Sequence, residues 1–412
     1  MTLGDMAQCG TKAWLIATMC VVSAFAQTAP TERFTVNPGF RDWGPTTIAG
    51  NTIIGGNSSN RGGLFAVDTV TGKLKWSARP VGLPGISVAT KPAVAGNIVI
   101  VPMGITVVAF SLATGKELWR GLNTERLASV AADSGTAYVL GEDNNFYALE
   151  AATGQQKWKV SFARGSGSCE SVPVVRDGVV YVSGSVLLKA ADAYQPASYY
   201  RHLFALDANT GAERWRYPST PAGGRGGICL TQPIVTADAI YGVESTTLYA
   251  VNLSTGRDRW APFEVRRPVE GRERGVRVNG LVDAGPVLVG LTSGYLIAFD
   301  KASGKTAWEI PGQYRESSPS TAVAGRILYF QGHPGAPPAA EVQGRTVYQG
   351  GKPVVEAPAL PPGKLNALNL DTRKILWSFS RPTAEPNWPF GFVSPVSDGL
   401  WVDSYQALVK LQ

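Results

Sequence analysis

Side chains that commonly carry out chemistry are scarce in this sequence and widely spaced. Histidine occurs only at His202 and His333, and a zinc site would need more histidines or cysteines than the chain supplies. A serine, histidine and acid triad would require one of these histidines to fold over a serine. We expect both to be ordinary exposed loop residues. Pairs of Asp and Glu could still converge from distant positions, but no local pattern indicates an enzyme.

Cys169 and Cys229 form a second candidate site. Each lies four residues before a proline, and each follows a glycine-rich stretch, GSGS or GGRGG. In an exported protein the two could form one disulfide, and closing a loop of about 60 residues contributes up to about 4 kcal/mol. Two buried thiols are the alternative.

A thirteen-residue pattern recurs seven times and always ends in tryptophan. It reads LFAVDTVTGKLKW at 64–76, VVAFSLATGKELW at 107–119, FYALEAATGQQKW at 146–158, LFALDANTGAERW at 203–215, LYAVNLSTGRDRW at 248–260, LIAFDKASGKTAW at 296–308 and LNALNLDTRKILW at 365–377. The apolar start predicts a strand, and Asp or Asn at position five predicts a tight turn. Glycine at position nine supplies a positive φ, and a second strand ends in the tryptophan.

The tryptophans of this pattern are predicted to be structural and to dock against the neighbouring repeat. They are Trp76, Trp119, Trp158, Trp215, Trp260, Trp308 and Trp377. Burying one indole removes about 150–250 Å² from water, which is about 4–6 kcal/mol before entropy costs. Arg373 replaces the glycine in the last copy and would cost roughly 1 kcal/mol in a left-handed conformation, unless its turn differs.

A second pair of strands precedes each hairpin, as in VPVVRDGVVYV at 172–182. Four short strands at a spacing of about 40–45 residues are typical of a propeller blade. The sequence therefore predicts an all-β propeller of four-stranded antiparallel blades over residues 27–412, with insertions near 186–202 and 331–364.

The two ends of the chain complete this fold. After Trp377 only three strands follow, near 391–396, 399–403 and 406–411, and RFTVN at 33–37 is an isolated β-prone segment. Pairing of the N- and C-terminal strands would complete an eighth blade and close the ring, which removes exposed sheet edges. We therefore expect an eight-bladed β-propeller. A seven-bladed ring with a C-terminal tail is the alternative.

Residues 1–26 are predicted to be a signal peptide. Lys12 precedes a mostly apolar run that ends in Ala24-Phe25-Ala26, so cleavage is expected near Ala26. We expect a periplasmic or secreted protein without a transmembrane segment, because no later run is long and apolar enough. A buried helix or an uncleaved anchor is the alternative for this segment.

The hairpin pattern A-x-[DN]-x-x-[TS]-G-x-x-x-W resembles the tryptophan-docking motif of the quinoprotein alcohol dehydrogenase-like superfamily, whose propellers have PQQ-like repeats. The resemblance covers essentially residues 33–412. It implies either a PQQ-dependent dehydrogenase or a non-enzymatic member such as the BamB-like subunits of the outer-membrane β-barrel assembly machinery. A dehydrogenase would imply PQQ beside calcium, a catalytic Asp and a disulfide of adjacent cysteines. The sequence has no adjacent cysteines and no local carboxylate set suited to calcium.

Arginines concentrate in the segments that join one blade to the next. They are Arg120, Arg126, Arg164, Arg225, Arg266, Arg267, Arg272, Arg274, Arg277, Arg315 and Arg381. Because such connections lie on one face of a propeller, they predict a basic face that attracts anionic partners. The candidate binding residues are Arg126, Arg164, Arg225, Arg277 and Arg315. Solvated loops in a chain of net charge +7 are the alternative.

The function predicted from the sequence is a non-catalytic, exported scaffold that binds a protein or an anionic envelope polymer through loops on one face. We expect no cofactor and a monomer within a larger assembly. The alternative is a PQQ-binding protein or a PQQ-dependent dehydrogenase that oxidises an alcohol or sugar. Nucleic acid is not expected, because basic and aromatic residues do not interleave. The two insertions could be partner-docking arms, and one carries a rim of tyrosines, Tyr194, Tyr199 and Tyr200; ordinary surface loops are the alternative.

Overall fold

The computed structural model describes residues 29–38, 44–56, 63–83, 90–124, 126–133, 135–163, 171–190, 198–218, 227–230, 232–269, 272–292, 294–314, 321–336, 345–349, 352–356, 363–380, 391–404 and 407–412. Within these ranges the chain forms strands, turns and irregular connections, without a helix. The predicted signal peptide lies outside the described residues.

The chain begins with β1 (Glu32–Val36), which pairs with its last strand, and then forms five antiparallel sheets of four strands each in sequence order. Sheet 1 is β2 (Thr47–Ala49), β3 (Thr52–Gly56), β4 (Leu64–Asp68) and β5 (Leu74–Ala78); sheet 2 is β6 (Ala93–Ala95), β7 (Ile98–Met103), β8 (Thr106–Ser111) and β9 (Glu117–Gly121); sheet 3 is β10 (Leu127–Ala132), β11 (Thr136–Gly141), β12 (Asn145–Glu150) and β13 (Gln156–Ser161); sheet 4 is β14 (Val174–Arg176), β15 (Val179–Lys189), β16 (Ser198–Asp207) and β17 (Glu213–Tyr217); sheet 5 is β18 (Ile234–Val235), β19 (Ala239–Glu244), β20 (Thr247–Asn252) and β21 (Asp258–Glu264).

The second half of the chain adds two hairpins to this scheme. The first is the hairpin of β22 (Arg266–Val269) and β23 (Arg272–Gly275), and sheet 6 follows it with β24 (Asn279–Ala284), β25 (Val287–Leu291), β26 (Tyr295–Asp300) and β27 (Thr306–Tyr314). Next come β28 (Ala322–Ala324), β29 (Ile327–Pro334), the second hairpin of β30 (Arg345–Gln349) and β31 (Lys352–Glu356), β32 (Leu365–Asn369) and β33 (Ile375–Phe379). The last strands are β34 (Val393–Val396), β35 (Gly399–Ser404) and β36 (Ala407–Leu411). Sheet 7 is β28, β29, β32 and β33, and pairing of β27 with β29 joins it to sheet 6. Sheet 8 is β34, β35, β36 and β1.

Both predicted insertions contain regular structure. Residues 186–189 and 198–202 lengthen β15 and β16, and the described part of residues 331–364 contains the end of β29 and the hairpin β30–β31. The all-β class and the four-stranded antiparallel sheets predicted from the repeat are confirmed.

Each repeated hairpin places its alanine opposite its tryptophan. In the first hairpin Ala66 pairs with Trp76, and a bulge follows directly. The other pairs are Ala109 with Trp119, Ala148 with Trp158, Ala205 with Trp215, Ala250 with Trp260, Ala298 with Trp308 and Ala367 with Trp377. Directly opposite residues share one face of a sheet, so the small alanine leaves room beside the indole.

The turn of the repeat is held by its acidic or amide residue. Asp68 Oδ1 accepts hydrogen bonds from the backbone N–H groups of Val70 and Thr71, at 3.1 and 2.8 Å. The bond from the Thr71 N–H is the largest of the influences that lower the pKa of Asp68. Equivalent bonds are made by Asp207, Asn252, Asp300 and Asn369. The prediction of a side-chain-capped turn is therefore confirmed at these positions.

The buried side chains lie mainly between successive sheets. Trp76 of sheet 1, for example, shares a cluster with Val99 and Phe110 of sheet 2. Similar clusters join sheets 2 and 3, 3 and 4, 4 and 5, 5 and 6, 6 and 7, and 7 and 8. A further cluster combines Phe65 of sheet 1 with Trp401 of sheet 8.

The indole N–H groups reach across these interfaces to one position of the next repeat. Trp76 Nε1 donates to the carbonyl oxygen of Leu112, the sixth residue of the following copy, at 2.8 Å. The same bond joins Trp119 to Ala151, Trp158 to Ala208, Trp215 to Leu253 and Trp260 to Lys301, at 3.0–3.2 Å. A buried indole N–H needs an acceptor, and the turn of the next hairpin supplies it.

The repeat glycine has a second role beyond its positive φ. A methyl group on Gly154 would lie 2.5 Å from Cε3 of Trp119, so the indole of one repeat rests on the glycine of the next. Trp76, Trp158, Trp215 and Trp260 contact their glycines in the same way. Arg373 has the same left-handed backbone, with a φ of 58°, and its N–H bonds to the Asn369 carbonyl. The last copy therefore keeps the turn without the glycine.

At the interface between sheets 8 and 1, three other residues together make the ring contact and the hydrogen bond that a single tryptophan makes elsewhere. The ring of Phe34, on β1, rests on Gly72. Trp401 Nε1 donates to the Thr69 carbonyl at 3.3 Å, and Lys410 Nζ donates to the same oxygen at 2.7 Å. Thr69 is the sixth residue of the first copy and thus the equivalent of Leu112.

We predict that Gly154→Ala destabilises the protein more than Gly178→Ala. Both glycines are left-handed, with φ values of 75° and 71°, so both variants should lose about 1–2 kcal/mol of backbone energy. Only Gly154 faces an indole, whereas a Cβ on Gly178 meets nothing within 4 Å. Displacing the indole should cost roughly 1–3 kcal/mol more. Guanidinium unfolding midpoints would measure the difference, and equal losses would contradict the role of the indole contact.

Candidate functional site

A central cavity of about 530 Å³ lies where the first strands of the sheets converge. Its wall is formed by residues at or just before the first strands of sheets 1, 2, 3, 4, 5, 7 and 8. Hydroxyl groups such as those of Thr46 and Ser129 alternate there with valines such as Val130 and Val172. Pockets of this volume suit small molecules when polar groups converge within them.

Hydroxyl groups at the wall connect one sheet to the next. Ser129 Oγ donates to the Ser171 carbonyl at 2.7 Å, and Ser171 Oγ donates to the Leu230 carbonyl at 2.9 Å. Thr321 Oγ1 likewise donates to the Gly280 carbonyl at 2.9 Å. Two more contacts join Thr46 Oγ1 to Ser394 Oγ at 3.1 Å and Thr47 Oγ1 to the Pro92 carbonyl at 2.5 Å. Side-chain hydroxyls therefore satisfy carbonyls at the inner edges of the sheets.

Lys91 is the ionisable residue of the described cavity wall. By its accessible surface Lys91 is an exposed residue at the open face of this cavity. Protein nevertheless surrounds it, and this desolvation lowers the pKa of its ammonium group. Within the described residues Lys91 has neither a hydrogen bond nor an ion pair.

Thr90, the neighbour of Lys91 in the chain, also lines the cavity. Its buried Oγ1 has no hydrogen-bond partner in the described part of the chain, and buried polar atoms without partners are uncommon. An unpaired cation and a free hydroxyl on one wall can bind an anion.

Sequence reasoning missed Lys91, although a signal for it exists. Lys91, Val172 and Gln232 each precede a proline at the entry to a first strand, and all three line the cavity. The residue before that proline therefore marks the wall, and lysine is the charged member of the set.

The predicted basic face is partly neutralised where the structure describes it. Arg126 Nε lies 3.6 Å from Glu142 Oε1, and the Arg126 side chain is 68% exposed. Other carboxylates pair with Arg120, Arg266 and Arg267. Arg277 is exposed and has no ion-pair partner among the described residues. Arg164, Arg225 and Arg315 lie outside the described residues, so their part in this face stays a prediction.

Cys229 is 7% exposed and disulfide-bonded. It follows Ile228 and precedes Leu230, both buried in the core between sheets 4 and 5. Cys169 lies outside the described residues, as do Cys9 and Cys20, so the pairing with Cys169 stays a prediction.

The expectation that both histidines are exposed loop residues is wrong for both, and most clearly for His202. This residue lies on β16 and is only 2% exposed, and its Nδ1 lies 2.7 Å from the Pro218 carbonyl. Burial is the largest influence on His202 and lowers the pKa of its imidazole. The first insertion lengthens β16, so His202 becomes part of a strand of sheet 4. His333 is half-buried on β29.

The described wall does not fit PQQ held beside calcium. Calcium takes oxygen ligands, of which carboxylates are the usual charged members, and the described lining residues include no Asp or Glu. Elsewhere in the described ranges, no three His, Cys, Asp or Glu side chains cluster as metal ligands. No helix in those ranges has the length and apolarity to cross a bilayer.

The repeated hairpins and four-stranded sheets define a PQQ-like β-propeller. A family profile described as outer membrane protein assembly factor BamB matches residues 18–120, 103–261 and 190–336. Because these matches span more than half of the sequence, the chain belongs to this BamB-like family, as the resemblance of its repeat predicted.

Solved structures support the same fold. The crystal structure of BamB from Moraxella catarrhalis aligns with a TM-score of 0.59 at 14% identity, over 93% of this chain and 98% of that one. The computationally designed Ika8 protein aligns with a TM-score of 0.61 at 13% identity, over 92% and 98%.

The curated relatives include BamB and proteins with other activities. BamB from Burkholderia pseudomallei is 29% identical over 48% of this chain and 49% of its own length. The serine/threonine-protein kinase AfsK from Streptomyces griseus is 31% identical over 47% of this chain and 22% of its own. Tetrathionate hydrolase from Acidithiobacillus ferrooxidans is 26% identical over 65% and 53%. The chain thus spans about half or less of these relatives' lengths.

We predict that Lys91→Met stabilises the protein at neutral pH. The pKa of Lys91 is lower in the folded state, so the unfolded chain binds the proton more tightly and the charge opposes folding below the folded pKa. This penalty fades as the pH rises towards about 10.4, the ordinary value for lysine. The advantage of the variant should therefore shrink between neutral and alkaline pH. Unfolding midpoints of Lys91→Met and of the control Lys73→Met, whose lysine is absent from the cavity wall, would test this, and indistinguishable variants would contradict it.

We also predict that Cys229 pairs with Cys169. Denatured, unreduced mature protein should then expose no free thiol, and Cys169→Ser should expose one. Loss of the bridge should lower the free energy of unfolding by about 2–4 kcal/mol. Thiol titration with and without reductant would measure the first effect, and two reactive thiols before reduction would refute the pairing.

Proposed function

We propose that this chain is an exported, non-catalytic β-propeller scaffold of the cell envelope that binds a partner protein. Membership of the BamB-like family supports the scaffold role. The observation that carries the proposal is a pair of adjacent exposed leucines on the long strands of sheet 4.

The scaffold in this proposal is a closed ring of eight blades. Strand β1 pairs antiparallel with β36, for example Thr35 with Val409. Thr31 and Gln412 exchange two backbone hydrogen bonds, at 2.8 and 2.9 Å. The core shared by sheets 8 and 1 also supports closure. The alternative with a free C-terminal tail would leave these contacts unexplained.

The hairpin of β15 and β16 is the proposed partner surface. Its strands have 11 and 10 residues, whereas most strands of the other sheets have three to six. A register shift near the tip makes Leu188 an extra residue between Leu187 and Lys189. The leucines are 50% and 48% exposed, and adjacent exposed apolar residues on a projecting element favour a protein partner.

The tyrosine rim expected on this insertion is not observed where it is described. Tyr200 is only 4% exposed and contacts the ring of His202 at a centroid distance of 5.0 Å, and Tyr199 is half-buried. Tyr194 lies outside the described residues. The exposed leucines, and not the tyrosines, therefore support the proposed role of this hairpin in docking a partner.

We predict that the double variant Leu187→Asp/Leu188→Asp weakens binding of the envelope partner by more than about tenfold, because truncated hot-spot residues cost at least about 2 kcal/mol. The partner would be isolated from the envelope fraction with the tagged protein, purified, and titrated against each variant. Leu118→Asp is the matched control, since Leu118 is also 48% exposed on another sheet. Equal losses for the hairpin variant and the control would refute the hairpin as the contact. Recovery of unprocessed protein from the cytoplasm alone would refute export.

A further inference from the structure

We propose that the central cavity is a binding site for a small hydroxylated carboxylate, with Lys91 as its counter-ion. This site is separate from the partner hairpin and does not depend on it. The proposal rests on the charge of the wall, on one unused hydroxyl and on hydroxyls whose protons are already committed.

The charge of the wall selects an anion. Lys91 is a cation without an acidic partner in the described wall. An ammonium group in partly desolvated surroundings gains from a nearby negative charge, because the interaction strengthens as the effective dielectric falls. One lysine balances one negative charge, so a monocarboxylate suits the cavity better than a dianion.

Thr90 supplies a donor for the same anion. Thr90 lines the cavity, and its Oγ1 is buried just behind the wall surface without a partner among the described residues, so a small rotation of the side chain would present it to a ligand. A carboxylate has two oxygens, and it could therefore accept from the ammonium of Lys91 and from this hydroxyl. Charge-assisted hydrogen bonds of this kind are stronger than neutral ones.

Two other hydroxyl groups of the wall favour a ligand that carries hydrogen-bond donors. Ser129 Oγ and Thr321 Oγ1 already donate to the carbonyls of Ser171 and Gly280. Each hydroxyl has one proton but two lone pairs, so these two can only accept from a ligand. Hydroxyl groups on the ligand would satisfy them.

Apolar groups complete the wall between the polar positions. Val130, Val172, Val174 and Val393 line the same cavity, and they would pack against the carbon skeleton of a ligand. The volume of about 530 Å³ falls in the range of about 300–1,000 Å³ found for small-molecule sites. A sugar acid meets these demands of charge, hydroxyl content and size.

The experiment titrates the full mature chain with three probes by calorimetry. D-glucuronate carries both carboxylate and hydroxyls, D-glucose lacks the charge, and butyrate lacks the hydroxyls. We expect glucuronate to bind at least about tenfold more tightly than either comparison compound. Binding should begin to weaken at a pH below the range in which an ordinary lysine loses its proton, because desolvation by the surrounding protein lowers the pKa of Lys91.

Variants locate the site within the molecule. Lys91→Met should weaken glucuronate binding by at least about tenfold, and Thr90→Val by about tenfold, the value of one hydrogen bond to a charged group. Lys73→Met, an exposed lysine in a turn of sheet 1, should bind as the wild type does. Thermal unfolding of each variant would show that it is folded.

Three results would overturn the proposal: no binding of glucuronate at millimolar concentration, equal binding of glucose, or unchanged binding by folded Lys91→Met. The partner test with the hairpin variant is independent, because Leu187 and Leu188 are remote from the cavity wall in sequence and absent from its lining. Failure of one proposal therefore leaves the other standing.

Discussion

The contact of an indole with the turn of the following repeat is the interaction on which the rest of the structure depends. Trp119 shows its two parts: the ring rests on Gly154, and Nε1 donates to the Ala151 carbonyl. The first part needs a residue without Cβ, and the second needs an unpaired backbone acceptor. One turn provides both, because its glycine and its sixth-position carbonyl lie three residues apart in the repeat. Geometry set in one hairpin thereby fixes the position of the next sheet.

This arrangement of the sheets also explains why the wall of the cavity is polar. Docking between sheets uses the fourth strand and the turn before it, which leaves the first strands to converge on the cavity. A first strand has a neighbour on one side only, so its other edge carries backbone groups that need partners. Ser129, Ser171 and Thr321 supply those partners from the adjacent sheet. A polar lining is thus a consequence of how the sheets are ordered, and Lys91 adds charge to it.

Local sequence information was enough to predict the structure of the repeating unit but not the composition of the cavity wall. The pattern predicted the strands, the capped turns and the positive φ at position nine, because each depends on neighbouring residues. It did not predict that the glycine seats an indole, since Trp119 and Gly154 belong to different sheets. The cavity wall draws on seven separate segments, so its composition appears only when they converge. His202 was misjudged for the same reason: extension of β16 buries a residue that an insertion loop would expose.

The interface between sheets 8 and 1 shows which parts of the docking contact are essential. Sheet 8 lacks the repeat, yet both parts of the contact are present there on different residues. Phe34 seats its ring on Gly72 but has no N–H to donate, and Trp401 and Lys410 supply donors to the Thr69 carbonyl. Lys410 is fully buried, and Asp398 lies 2.6 Å from its Nζ. A buried lysine is costly unless it is paired, and the Asp398 carboxylate and the Thr69 carbonyl supply partners for this one. The ring contact and the hydrogen bond are therefore separable, and Trp76, Trp119, Trp158, Trp215 and Trp260 of the repeat each make both.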